Sequence, residues 1–220
     1  MGGYHFHFAP IWQSLPDIWE ATGTAALVAA ASIALAFVIG TAAALAYQHG
    51  GRRTRLAIAV YVEAMRNSPS LVKMFFIYYG LPSLGLFPSA FWSGVIALAL
   101  HNGGYVTEIV RAGLASVART QTQAAMSLGF GWFETQRTII LPQALRQAVP
   151  ALGNVWVEMV KDTSLTSAIA VRELFYLMTA LVSSTLRSFE ILIVFAAIYF
   201  VMTTLVAVAM KLAELRGAGR

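Results

Sequence analysis

Between Glu20 and Arg52 the chain runs for 31 residues without a single Asp, Glu, Lys or Arg. That run is rich in Ala, Val, Leu and Ile. A helix needs about 20 mostly apolar residues to cross a bilayer, and residues 21–47 meet that length. The rest of the chain agrees. Residues of the set AVILMFWYC make up 58% and charged residues only 11%, against about 25% charged in a soluble domain. Such a chain cannot cover a water-facing surface in the ordinary way. That excludes a soluble globular enzyme, a disordered chain and a coiled coil as leading readings. Cysteine is absent, so there is no disulfide framework, thiolate metal site or cysteine nucleophile. The formal net charge is +5. In so apolar a chain that excess marks cytoplasmic loops rather than a nucleic-acid surface.

Five spans are expected, at about 21–47, 56–80, 90–114, 151–171 and 189–210. The second carries Glu63, Arg66 and Lys73 and is interrupted at Asn67-Ser68-Pro69, because proline lacks an N–H and disfavours helix at the residue before it. Carbonyls freed there either line a cavity or mark a plain kink. Residues 174–185 are apolar but too short to cross, hence interfacial or re-entrant. Basic residues gather in the loops holding Arg52, Arg53, Arg55, Arg119, Arg137 and Arg146, and after Lys211, while the first 51 residues hold none. The positive-inside rule puts the N-terminus outside and the C-terminus in the cytoplasm, so the number of spans is odd. The N-terminus lacks the basic start of a secretory signal, so the first span is expected to remain in the mature protein. The division expected is an outer segment 1–20, one membrane domain 21–211 and a cytoplasmic tail 212–220.

The stretch 115–150 is too long for a simple connection. Gln121-Thr-Gln-Ala-Ala-Met-Ser-Leu128 reads as a short helix broken by Gly129 and Gly131. Residues 132–141 read as a second, closed by Pro142. Ala124, Ala125 and Leu128 fall on one face. Small exposed side chains there allow a second protein to approach closely; the alternative is an amphipathic helix lying on lipid.

At this point the chain resembles a known family. Gln123-Ala-Ala-Met-Ser-Leu-Gly129, followed by Ile140-Leu-Pro142, resembles the "EAA" loop of ABC importer permeases. Arg66-Asn-Ser-Pro-Ser-Leu-Val-Lys-Met-Phe-Phe-Ile-Tyr-Tyr-Gly-Leu-Pro82, Tyr105-Val-Thr-Glu-Ile-Val-Arg-Ala-Gly-Leu-Ala-Ser-Val117 and Lys161-Asp-Thr-Ser-Leu165 are similar to blocks of its polar amino acid subfamily. The likeness runs from about residue 21 to 216. Two positions depart from the pattern: Gln123 stands where Glu is usual, and Asn67-Ser68 where Gly-Thr is usual. The resemblance implies an all-α, multi-pass permease in a bacterial cytoplasmic (inner) membrane. It also implies a coupling helix carrying Gln123, Ala124, Ala125, Ser127, Leu128 and Gly129, docked on an ATPase subunit dimer that binds ATP and magnesium. A second permease chain, identical or sister, and a free or tethered amino acid-binding protein outside complete the implied assembly.

Ionisable groups within a span are costly and need partners or a water-filled cavity. Glu158, Lys161 and Asp162 fall at i, i+3 and i+4, on one helical face. Counted from residue 151, Asp162 lies about 16 Å deep. A face of both signs there either holds a zwitterion or closes on itself as a salt bridge. Thr163 and Ser164 add hydroxyls, and Ser68 sits at the break in the second span. Glu158 is either a spare anion facing a cationic side chain, as of arginine or an opine, or the partner of Arg66 or Lys73. Glu63/Arg66, Glu108/Arg111 and Arg187/Glu190 are spaced as structural pairs. His5-Phe-His7 reads as a wet N-terminal tail before a metal site.

No G-x-x-x-x-G-K-[ST] loop occurs, so no ATP phosphate cradle is evident in this chain, and no H-E-x-x-H or G-x-S-x-G motif either. No cofactor of its own is expected. The reading is an ATP-coupled importer subunit for polar or charged amino acids. The alternatives are an ion-gradient-driven transporter or channel, and a membrane anchor of an enzyme complex.

Overall fold

A chain in lipid must satisfy its backbone polar groups internally, and every regular element among the described residues is helical. The computed structural model describes residues 5–218; positions 1–4 of the expected outer segment and 219–220 of the expected tail lie outside them. The helices are α1 (Ala9–Gln13), α2 (Leu15–His49), α3 (Arg52–Arg66), α4 (Ser70–Phe75), α5 (Ala90–Ser116), α6 (Arg119–Ser127), α7 (Trp132–Thr135), α8 (Leu141–Asp162), α9 (Leu174–Thr185) and α10 (Ser188–Ala218). Two π turns, Phe76–Gly80 and Gln136–Ile140, and two 3₁₀ segments, Leu81–Leu84 and Thr163–Ile169, join them.

Local chemistry explains the boundaries. Pro16 sits in the first turn of α2, where a missing N–H costs nothing. α3 stops at Arg66, and Asn67 caps it by donating its N–H to the Glu63 carbonyl. Pro69, extended at φ −61° and ψ 134°, then starts α4 on a new course. The expected interruption is therefore real.

Two helices, α2 and α10, are each long and apolar enough to cross a membrane. The run Trp132–Ile169 with α9 is a third if taken as one span; the two parts are bent by 57°. The remaining expected spans are broken or polar. The second divides into α3 and α4, and α5 is a continuous helix of 27 residues carrying His101, Asn102, Glu108 and Arg111. The fourth does not begin at 151: α8 starts ten residues earlier, at Leu141, so depth counted from residue 151 refers to no helix end.

The chain divides into two compact units and passes between them five times. The acid-rich unit comprises 1–33, 69–98 and 157–205. Its core joins Ile11, Ile18 and Ala25 to Leu174, Ile191 and Phe195, which packs the first helices on α9 and α10. The basic unit comprises 34–68, 99–156 and 206–220. Here small residues let helices approach closely: a Cβ on Gly40 would meet Val106 at 2.5 Å, and one on Gly113 would meet the Ala144 carbonyl oxygen at 2.5 Å.

Candidate functional site

The loop between α5 and α8 belongs to the basic unit. α6 closes with a paired hydrogen-bond motif. Phe130 N–H donates to the Ala125 carbonyl (3.1 Å) and Gly129 N–H to the Met126 carbonyl (3.0 Å), the pattern of a Schellman C-cap. Gly129 has φ +87°, a conformation that side chains disfavour. The reversal expected after Leu128 is thus built by one glycine. Gly131, extended, opens α7. The expected closure at Pro142 does not occur: α7 runs through the π turn into α8, with Pro142 in its first turn. The π turn has already interrupted the i→i−4 ladder, so a missing N–H is tolerated there.

Gln123, Ala124, Ser127, Leu128 and Gly129 are exposed, and Leu128 is 78% exposed. Ala125 is 2% exposed and does not share that outer face. Neighbouring helix positions are about 100° apart, so one of the Ala124–Ala125 pair turns inward. Nor is the surface composed of small side chains alone, since Met126, Trp132 and Phe133 are also exposed. It is an apolar surface, of the kind that marks protein or membrane contact.

The second candidate lies in the acid-rich unit. Glu158 and Lys161 form an ion pair on the surface of α8, with side chains 59% and 52% exposed. Of the two arrangements open to this face, the structure shows the one closed on itself as a salt bridge, with Lys161 as the ion-pair partner of Glu158. Asp162, half-buried and close enough to feel both charges, has no ion pair among the described residues. α8 then tightens into the 3₁₀ segment Thr163–Ile169, which ends at Ala170 with φ +62°. The Thr163 hydroxyl donates to the Val160 carbonyl and that of Ser164 to the Lys161 carbonyl, both at 2.8 Å. This segment packs on α4 and against α5, where a Cβ on Gly94 would meet Thr166 at 2.7 Å. Five of the six expected binding residues therefore lie within about two turns, at the end of α8 and the start of the 3₁₀ segment. Ser68 belongs to the basic unit, and its hydroxyl donates to the Ala64 carbonyl at 2.5 Å.

Comparison with known proteins decides what these two surfaces belong to. Residues 36–216 match the family described as binding-protein-dependent transport system inner membrane component. The chain is a member of that permease family. A probable amino-acid permease protein of Bacillus subtilis, YxeN, is 34% identical over 92% of each chain. The nopaline transport system permease protein NocM of Agrobacterium fabrum is 36% identical, over 93% of this chain and 89% of its own. A crystal structure of an amino acid ABC transporter with histidines superposes with a TM-score of 0.85 at 33% identity, covering 97% of this chain and all of that one. The permease is thus an all-helical membrane transport component rather than an enzyme. Members of its family work with an ATPase and a binding protein, and the ion-gradient alternative finds no support.

The permease also holds one buried acid that the sequence did not single out. Glu173 is fully buried. Its carboxylate caps α9, accepting the N–H groups of Phe175 and Tyr176 at 2.9 Å each, and takes the Tyr199 hydroxyl of α10 at 2.9 Å. An acid directly before an apolar helix was the available signal, but Glu is outside the usual Ser, Thr, Asp and Asn caps. Glu190, also fully buried, accepts the His7 N–H (2.9 Å) and faces Arg187 (3.8 Å), which donates to the His5 carbonyl. The N-terminal segment is exposed at His5 and His7, and its backbone is tied down there. Glu108 and Arg111 pair as expected, at 2.6 Å. Glu63 and Arg66 do not: Glu63 accepts the Asn67 amide, and Arg66 lies over the Tyr105 ring, 5.0 Å from its centre.

Proposed function

We propose that this permease imports polar or charged amino acids, with cationic amino acids and opines as the favoured class. The observation that carries the reading is the near full-length likeness to an amino acid ABC transporter; the nopaline permease relative supports the cationic class. The mixed-charge end of α8 supplies the chemistry. An ion pair open to water is worth only about 0.2–1 kcal/mol, so the carboxylate of a bound amino acid can displace Glu158 from Lys161. Asp162 then faces the substrate ammonium, and the released Glu158 faces a cationic side chain. Thr163 and Ser164 contribute hydroxyls to that site, and Ser68 is the hydroxyl that the break after α3 offers to substrate. An extra hydrogen-bonding charge is worth about 1.5–3 kcal/mol, enough to sort basic from neutral side chains.

The exposed surface of α6, with Gln123, Ala124, Ser127, Leu128 and Gly129, docks on the ATPase, and Ala125 supports it from beneath. ATP and magnesium belong to that separate subunit. Two permease chains and two ATPase chains make the importer, fed by a binding protein outside. Five crossings of the bacterial inner membrane, within one transmembrane domain over 21–211, leave the N-terminus outside. The test is uptake by the full complex in sealed vesicles holding ATP and no ion gradient. Accumulation of labelled basic amino acids is expected, and uptake that persists without the ATPase overturns the reading.

A further inference from the structure

The basic unit contains a cleft of about 320 Å³ that none of the transport chemistry uses. Three guanidinium groups line it, from Arg55, Arg111 and Arg119, opposite an apolar wall of Leu114, Val117 and Ile140. Arg55 is held by its Nε and Nη2, which donate to the carbonyls of Tyr47 (3.1 Å) and Gln48 (3.3 Å). Arg111 is held through the same two atoms by Glu108, at 3.1 and 2.6 Å, with its guanidinium over the Tyr47 ring at 5.4 Å. Each therefore keeps Nη1 for an outside acceptor. Arg119, exposed at the start of α6, has no ion pair among the described residues. α6 begins there with Ala118 in the cap position and no side-chain cap, so its positive N-terminal end also borders the cleft. Glu108 offsets one of three positive charges, and the cleft stays cationic.

We propose that this cleft binds the phosphate of an anionic phospholipid headgroup, with the glycerol end of the acyl chains on the apolar wall. The source is lipid rather than dissolved phosphate for two reasons read from the fold. The cleft lies at the last turn of α2, a helix long enough to cross the membrane, which is where headgroups sit. Its lining is divided between charged and apolar surface, as a headgroup and the start of its chains require. Basic pockets at the cytoplasmic ends of membrane helices bind acidic headgroups by the same physics. Because α6 supplies Arg119 and Thr122 to the lining, a bound anionic lipid steadies the start of the loop that carries the docking surface.

The test is native mass spectrometry of the full-length permease in its detergent-solubilised complex, titrated separately with phosphatidylglycerol, phosphatidylcholine and inorganic phosphate. Phosphatidylglycerol is expected to bind at least tenfold more tightly than phosphatidylcholine. Arg119→Gln lowers its affinity by about fivefold, the effect of one basic residue near an anionic surface. Arg146→Gln, an exposed arginine of the same unit that does not line the cleft, leaves it unchanged. Arg55→Gln provides a second variant, with retained co-purification of the ATPase as the check on folding. Equal binding of the two lipids overturns the proposal, as does an equal loss in Arg119→Gln and Arg146→Gln. Inorganic phosphate competing at the affinity of the lipid overturns the lipid source. Loss of the ATPase from Arg119→Gln with lipid binding intact assigns the cleft to that subunit and overturns it too.

Discussion

The two compact units hold opposite charge and dispose of it in different ways. The acid-rich unit has four Lys and Arg against six Asp and Glu; the basic unit has eleven against four. In the first, Glu173 and Glu190 go fully inside and accept hydrogen bonds from backbone amides and a tyrosine. In the second, Arg52, Arg53, Arg55, Arg119, Arg137 and Arg146 stay at the surface. The difference follows from donor and acceptor counts. A carboxylate is satisfied by a few N–H or O–H donors, which a helix start supplies freely. A guanidinium carries five donors and needs as many acceptors, which an apolar interior lacks. Acids can therefore act as hidden fasteners, while arginines remain for loops and outside ligands.

The sharpest break of this comparison lies in the basic unit. Ala125→Arg forces a charge into a site 2% exposed and is expected to abolish the folded complex, a loss of several kcal/mol. Leu128→Arg, on the open side of the same helix, keeps the melting temperature and eliminates ATP-driven uptake. Normal uptake by Leu128→Arg would remove the docking assignment. Next in size, Asp162→Asn in the acid-rich unit lowers uptake about tenfold or more, with ATP hydrolysis retained; equal loss of both activities would make Asp162 structural. Glu158→Gln narrows the preference for basic over neutral amino acids several-fold, read from competition uptake, and unchanged discrimination refutes its role. Glu173→Gln removes the charge but keeps an oxygen acceptor, so it costs about 1 kcal/mol and a few degrees of melting temperature. The smallest effect belongs to Lys211→Ala. It breaks the exposed Lys211–Glu214 pair, 3.0 Å long, and moves stability by no more than about 0.5 kcal/mol.

Much of the local structure is legible from residues alone. The bounds of α9, the break at Asn67-Ser68-Pro69 and the turn after Leu128 follow from backbone chemistry within a few residues. The candidate sites are legible only in outline. Spacing places Glu158, Lys161 and Asp162 on one face, yet does not say that Glu158 folds onto Lys161 and leaves Asp162 without a pair. It places Ala124 and Ala125 beside one another, yet not which of them turns inward. Arg66 has a carboxylate three residues away and takes the face of Tyr105 instead.

What the sequence determined by itself is the solvent, the helical class and the family. An apolar run of such length has only one favourable environment, and Pro69 and Gly129 interrupt helices where they stand. What the tertiary structure alone decided is which charges are paired, capped or left open. Glu173 and Tyr199 are 26 residues apart, and His7 and Glu190 are 183 apart. Such partners meet only after the helices have packed, so no local pattern can encode them.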